Sequence, residues 1–252
     1  MIVKGTRQLG SFSRGINLYV PKNISQGGGA FSPSSIAGLQ AFWNLDNNPP
    51  NSQTDNSGNG ITLSYQESNS SYAASSVAGK VGSAVRFISD PPGDRSLGSR
   101  YFTDSWGVDV SNNFSCSVWM KPRSFDAYQH IIGAPFQNGF YIGGNDSNLT
   151  FNLFNGTVFG ISAPATTFDT WHHYVFIRDG DDLKLYADNV YIGTASVAGQ
   201  SFTNLPRFSV GGGEFSQYYF DGDIDALGIW NTAITVTDIN NLYNDGAGVQ
   251  MP

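Results

Sequence analysis

From Leu39 to Trp230 the chain is a succession of short runs in which apolar and polar residues alternate. Each run is closed by glycine, asparagine, aspartate or proline, and a helical period appears only once, after them. A period of two sends successive side chains to opposite faces of a strand. Residues 114–121 show it best: Phe114, Cys116, Val118 and Met120 form one set, Ser115, Ser117, Trp119 and Lys121 the other. The first set is expected to face a core between two sheets. Trp119 then has two options, a roof of loop or an exposed sheet face. Similar runs cover 39–45, 61–65, 83–87, 131–132, 140–142, 149–154, 158–162, 171–178, 184–186, 190–193 and 208–210. Asn155-Gly156 and Asp188-Asn189 read as tight hairpin turns between neighbouring runs. The helix follows Thr235, where Thr235 and Asp238 have the spacing of a capping box and Ile239, Leu242 and Tyr243 share a stripe. Without any strand–helix–strand spacing, the fold class is all-β: a sandwich of two antiparallel sheets with one short C-terminal helix.

The last strand, 224–230, sets a constraint of its own. Alternation places Asp225 with Leu227 and Ile229, which look core-directed, and leaves Asp223 toward solvent. A buried carboxylate has to be met by backbone donors, an arginine or a metal, because an unpaired buried charge costs several kcal/mol. The loop 46–60 is dense in Asn, Asp, Pro and Gly, including Asp55, Asn56 and Asn59. Such residues build Asx-turns, and their oxygens also suit a hard cation.

Charge and cysteine content narrow the partners. With 20 acidic against 13 basic residues, the net charge of -7 is wrong for wrapping a phosphate backbone, and no Lys/Arg cluster offsets it. No apolar run reaches membrane-spanning length, and none of signal-peptide length follows Lys4, Arg7 and Arg14. The protein is therefore expected to be made in the cytoplasm without a signal peptide. Cys116 is the single cysteine, so no intrachain disulfide is expected. Residues 1–36 differ from the remainder: a mixed segment runs into a Gly/Ser-rich linker. This stretch is read as an extended arm ahead of a domain spanning 37–252. The arm is expected to lie on other protein subunits, with Arg7, Arg14 and Tyr19 as its assembly contacts.

The order of these runs resembles the laminin-G-like, concanavalin-A-like lectin and glucanase family of jelly rolls, in its pentraxin-like single-domain form. The matching stations are Trp43-Asn44-Leu45-Asp46 with Asp55 and Gly58, then 82–87, 114–122, Trp171-His172-His173, Leu185-Tyr186-Ala187-Asp188, 220–231 and the closing helix at 239–243. The resemblance implies two antiparallel sheets of about six or seven strands each. It also implies glycan or protein binding, and a structural calcium at the rim where the first and last strands meet. Asp46 and Asp225 are the candidate calcium ligands, with turn carbonyls completing the cage. The alternative is a metal-free rim in which Asp225 accepts N–H groups from the 46–60 loop.

Catalysis finds less support. A retaining glycosidase holds two carboxyls about 5 Å apart across the sugar. The chain has only Glu67 and Glu214, both in loop-like surroundings, and the alternating Asp221, Asp223 and Asp225 begin beside Gly222 in what reads as a turn. His172 and His173 are adjacent and point to opposite faces, so they cannot chelate one ion together. The expected role is a non-catalytic structural or adhesive subunit of a larger extracellular assembly, such as a virion capsid decoration or tail-associated protein. The competing role is a carbohydrate-binding module, with glycoside hydrolysis a remote third. Candidate sugar-stacking residues are Trp106, Trp119, Tyr218 and Tyr219. A glycan binder calls for an exposed aromatic pair beside a polar groove, a structural subunit for a wide apolar or arm-covered surface.

Overall fold

A computed structural model describes residues 31–90, 96–125, 128–134, 139–145, 148–163, 167–203, 207–213 and 218–252. The assembly contacts expected at Arg7, Arg14 and Tyr19 lie outside the described residues. Among the described residues, the compact unit Phe31–Pro252 has fifteen strands. They are β1 (Leu39–Trp43), β2 (Ser64–Glu67), β3 (Ser75–Ala78), β4 (Ser83–Phe87), β5 (Ser99–Thr103), β6 (Phe114–Pro122), β7 (Gln129–Gly133) and β8 (Gly139–Asn145). β9 (Asn148–Phe154), β10 (Val158–Ser162), β11 (His172–Asp179), β12 (Asp182–Ala187), β13 (Val190–Ser196), β14 (Phe208–Val210) and β15 (Gly222–Trp230) complete them, before helix α1 (Val236–Tyr243). An eight-stranded sheet runs β13-β12-β11-β6-β15-β4-β3, with β1 also on β15, and a seven-stranded sheet runs β10-β9-β8-β7-β14-β5-β2. The pairings are antiparallel, so the expected jelly-roll sandwich is the observed fold.

The inner faces meet in one aromatic core. Phe208 is stacked between Trp106, 4.2 Å away, and Trp43, 5.7 Å away, while Phe114, Phe140 and Phe176 cluster further along. On β6 the set Phe114, Cys116, Val118 and Met120 does face this core. Trp119 faces outward into a second apolar layer, with Val175, Ile177 and Trp230 under Ile239 and Leu242 of α1. The helix starts as the sequence predicts, since Thr235 and Asp238 cap each other's backbone N–H. Its cover explains how a tryptophan among serines escapes water.

The last strand departs from simple alternation. Ile224 faces Met120 and Ile229 faces Cys116, both in the inter-sheet core, yet they lie five positions apart, an odd interval that pure alternation forbids. A β-bulge resolves it: between the pairs Asp225–Trp119 and Gly228–Ser117, two residues of β15 oppose Val118 alone. Ala226 sits at the bulge with φ of 46°, a left-handed value that an L-residue adopts only under constraint. The other edge of β15 changes partner at the same place, from β4 along Gly222–Ile224 to β1 along Leu227–Trp230. Asp225 therefore points to the face opposite Leu227 and Ile229, which corrects the alternation expected for it.

Two strands were not legible. β3 lies at a sheet edge with mostly exposed residues, so no buried face imposes an apolar period on Ser75–Ala78. β5 carries Arg100 on its outer face, buried and bonded to Gln66, where alternation would demand an apolar or solvated residue.

Candidate functional site

The aromatic residues singled out for sugar stacking are mostly interior. Trp106 lies in the inter-sheet core at 6% exposure, and Tyr219 is wholly buried. Trp119, 2% exposed, packs against the rings of Tyr243 and His173, which also touch each other, with Lys80 Nζ 4.5 Å from its ring centroid. These three cannot offer a face to a sugar, because core and helix contacts already cover them. Only Tyr218 reaches solvent, and its neighbour is the Tyr128 ring at 5.1 Å.

Asp46 and Asp225 do approach each other at the rim, around the turn 79–82. Asp225 Oδ2 accepts the backbone N–H of Lys80 at 2.7 Å and of Val81 at 2.9 Å, and Oδ1 receives Gln250 Nε2 at 3.4 Å. Asp46 Oδ1 accepts the N–H of Ser83 at 2.8 Å. The backbone donors thus come from the 79–82 turn rather than from the 46–60 loop. That loop spends its own oxygens locally: Asp55 takes the N–H groups of Phe42, Ser57 and Ile61, and Asn56 that of Asn44. Calcium asks for six to eight inward-facing oxygens. Here the space among Asn44 O, Val81 O and Asp225 Oδ1 is filled by the Gln250 amide nitrogen, at 3.3, 2.7 and 3.4 Å. Among the described residues no three His, Cys, Asp or Glu side chains converge, and in this arrangement an amide nitrogen, not a cation, stands among the oxygens proposed for calcium. Desolvation pushes the Asp225 carboxyl up to about 7, against the pull of its N–H donors and with the push of Asp46.

The alternating carboxylates before it are likewise engaged. Asp223, expected in solvent, is 1% exposed and bound at both oxygens by Arg86, 2.7 and 2.9 Å away. It lies on the outer face beside Asp225, where the neighbouring β4 supplies the guanidinium. His173 is buried with Nε2 2.8 Å from Ser117 Oγ, and burial holds its imidazole down near 3. His172 pairs instead with Asp188 at 2.6 Å, which raises its proton affinity.

An open cleft of about 530 Å³ lies on the outer face of the eight-stranded sheet. Its floor is Ile177 of β11 with Lys184 and Tyr186 of β12, its wall is the 231–236 segment entering α1, and Asn113 and Asp179 close one end. The segment is held in place by Thr232 Oγ1 donating to Ala37 O and by the Ile234 N–H donating to Ser115 Oγ. Tyr186 continues the floor to Tyr191 on β13, its direct cross-strand partner, ring centroids 5.3 Å apart. Tyr191 is 51% exposed. The pair is built by the turn Asp188-Asn189, both with positive φ, and the two tyrosines flank that turn in the sequence. Counting outward from the turn was the signal that would have found them. A half-exposed tyrosine, Tyr191, in ring contact with the partly buried Tyr186 of the floor thus stands beside a groove lined by two carboxamides, hydroxyls, an ammonium and a carboxylate.

Residues 98–240 match the concanavalin A-like lectin/glucanases superfamily, and the chain belongs to that family. Curated proteins give no match. Among solved structures, domain 4 of AbnA, a GH43 extracellular arabinanase from Geobacillus stearothermophilus solved with arabinotriose, superposes with a TM-score of 0.64. It is 21% identical, over 85% of this chain and 100% of that one. The binding domain of Paraclostridial Mosquitocidal Protein 1 has a TM-score of 0.64 at 15% identity, over 85% of this chain and 53% of that one. Botulinum neurotoxin type C, whose cell entry depends on interaction with two ganglioside molecules, gives a TM-score of 0.63 at 15% identity, over 84% of this chain and 52% of that one. The chain thus spans about half the length of the toxin structures it matches, and the likeness is one of fold.

Proposed function

We propose that this protein is a non-catalytic carbohydrate-binding module that holds a glycan in the cleft beside Tyr186 and Tyr191. The observation that carries the reading is the half-exposed Tyr191 paired with the partly buried Tyr186 next to a polar groove, since aromatic faces stack on sugar C–H surfaces while amides and hydroxyls take up the ring hydroxyls. The arabinotriose bound to the arabinanase domain and the ganglioside link of the neurotoxin support the same class by analogy. Support for a non-catalytic role comes from the carboxylates themselves: Asp223 and Asp225 are spent on Arg86 and on backbone N–H groups, and Glu67 bonds the Tyr65 hydroxyl on an edge strand. The assembly-subunit reading, with its virion setting, draws on the arm at 1–36, whose named contacts lie outside the described residues, so the glycan reading leads.

Titration calorimetry against oligosaccharides tests it. Tyr191→Ala is expected to weaken binding about tenfold or more, the effect of losing one stacking partner with its buried area, and Tyr218→Ala to leave it unchanged. Equal affinity for wild type and Tyr191→Ala would remove the cleft from consideration.

A further inference from the structure

The charges around the cleft define which glycans it accepts. Lys184 is the one cation among the lining residues, and its Nζ donates to Asp179 Oδ2 at 2.6 Å. Asp182 stands directly across from Asp179 in the β11–β12 register. Arg178, the nearest other cation in sequence, is turned away: its Nη1 donates to Val110 O and its guanidinium lies 5.2 Å from the Phe202 ring. The N-terminus of α1, which supplies Thr235 and Val236 to the wall, would ordinarily attract an anion. Here Asp238 already fills that role, accepting from Thr235 N at 2.8 Å and from Thr235 Oγ1 at 2.7 Å. Three carboxylates, Asp179, Asp182 and Asp238, thus answer one ammonium.

Resting on the cleft reading above, we infer that this site selects uncharged glycans and turns away sialylated, sulfated or uronate-bearing ones. An acidic sugar reaching Lys184 has to displace Asp179, and then meets the freed carboxylate and Asp182 at short range. A neutral sugar uses the same Asp179–Lys184 pair intact, as an acceptor and a donor for hydroxyls. The repulsion acts between exposed groups, so salt screens it.

The test measures binding of the full chain to neutral arabinan and glucan oligosaccharides and to sialyllactose and oligogalacturonate, at low and high salt. Expected are neutral ligands that bind with little salt dependence and acidic ligands that bind at least about tenfold more weakly at low salt. The variant Asp182→Asn, whose residue lies outside the lining, should strengthen acidic binding about threefold at low salt. Acidic glycans that bind as tightly as neutral ones, and lose binding with Tyr191→Ala, would overturn the selectivity and keep the cleft. Absence of binding by any of these glycans, or binding that Tyr191→Ala does not touch, overturns both.

Discussion

Asp225 is held by three donors and still titrates high, because its burial costs the charged form more than those donors return. The sign follows directly. The unfolded chain releases this proton near 3.8, whereas the folded protein keeps it up to about 7. The stabilising contribution is therefore complete below about pH 4 and is lost as the pH rises through about 7. Urea midpoints are expected to fall over that window, and Asp225→Ala should flatten the fall. The same variant strands the N–H groups of Lys80 and Val81, a loss of about 2–4 kcal/mol, larger at pH 5 than at pH 9. Asp223→Ala breaks a bidentate pair with a half-buried Arg86 and should cost about 1.5–3 kcal/mol, where a solvent-facing aspartate would cost almost nothing. A midpoint for Asp223→Ala within error of wild type would refute the buried pairing. That a carboxylate beside Leu227 had to be satisfied was legible from the sequence. Its donors were not, because Lys80 and Val81 lie far off in the chain and offer only backbone, which no residue type announces.

At the scale of elements, alternation located most strands and failed where a strand has no buried face or changes rhythm. Residues 114–121 were read correctly on the core face, because that side packs against the second sheet, whereas the other face lies under α1, a cover that neither the loop roof nor the exposed face expected for Trp119 describes. The bulge in β15 was invisible: nothing in Ile224-Asp225-Ala226-Leu227 declares that its edge passes from β4 to β1 there. Its mark is the backbone of Ala226, which a β-branched side chain cannot adopt without strain. Ala226→Val is expected to destabilise the domain by more than about 2 kcal/mol, and Ala226→Gly to change it by less than about 1 kcal/mol, lost packing offsetting relieved strain. Equilibrium denaturation of the pair checks this, and equal midpoints for the two variants would place Ala226 in ordinary extended backbone. The Tyr186–Tyr191 pair belongs to the same scale: its hairpin was legible, and its exposure depended on β13 ending the sheet, which only the strand order reveals.

For the molecule as a whole, the question is what closes the rim where the chain's end meets its first strand. The sandwich has no disulfide to do so, since Cys116 is buried in the core with its thiol pushed up by desolvation. The closure is made of amides. Asn44 and Met251 exchange two hydrogen bonds, Nδ2 to O at 3.0 Å and N to Oδ1 at 3.1 Å, and Gln250 Nε2 reaches Val81 O at 2.7 Å. A cation at this place would have to evict that nitrogen from Asn44 O, Val81 O and Asp225 Oδ1. That step forfeits hydrogen bonds worth about 0.5–1.5 kcal/mol each. A bound ion at a hundred times its dissociation constant would add about 2.7 kcal/mol, which thermal unfolding resolves easily. The expected result is one melting curve in chelator and in millimolar calcium, with Gln250→Ala lowering it in both. If calcium instead raises the transition and Asp225→Asn removes the rise, the rim is held by a metal and the amide closure described here is not its resting arrangement.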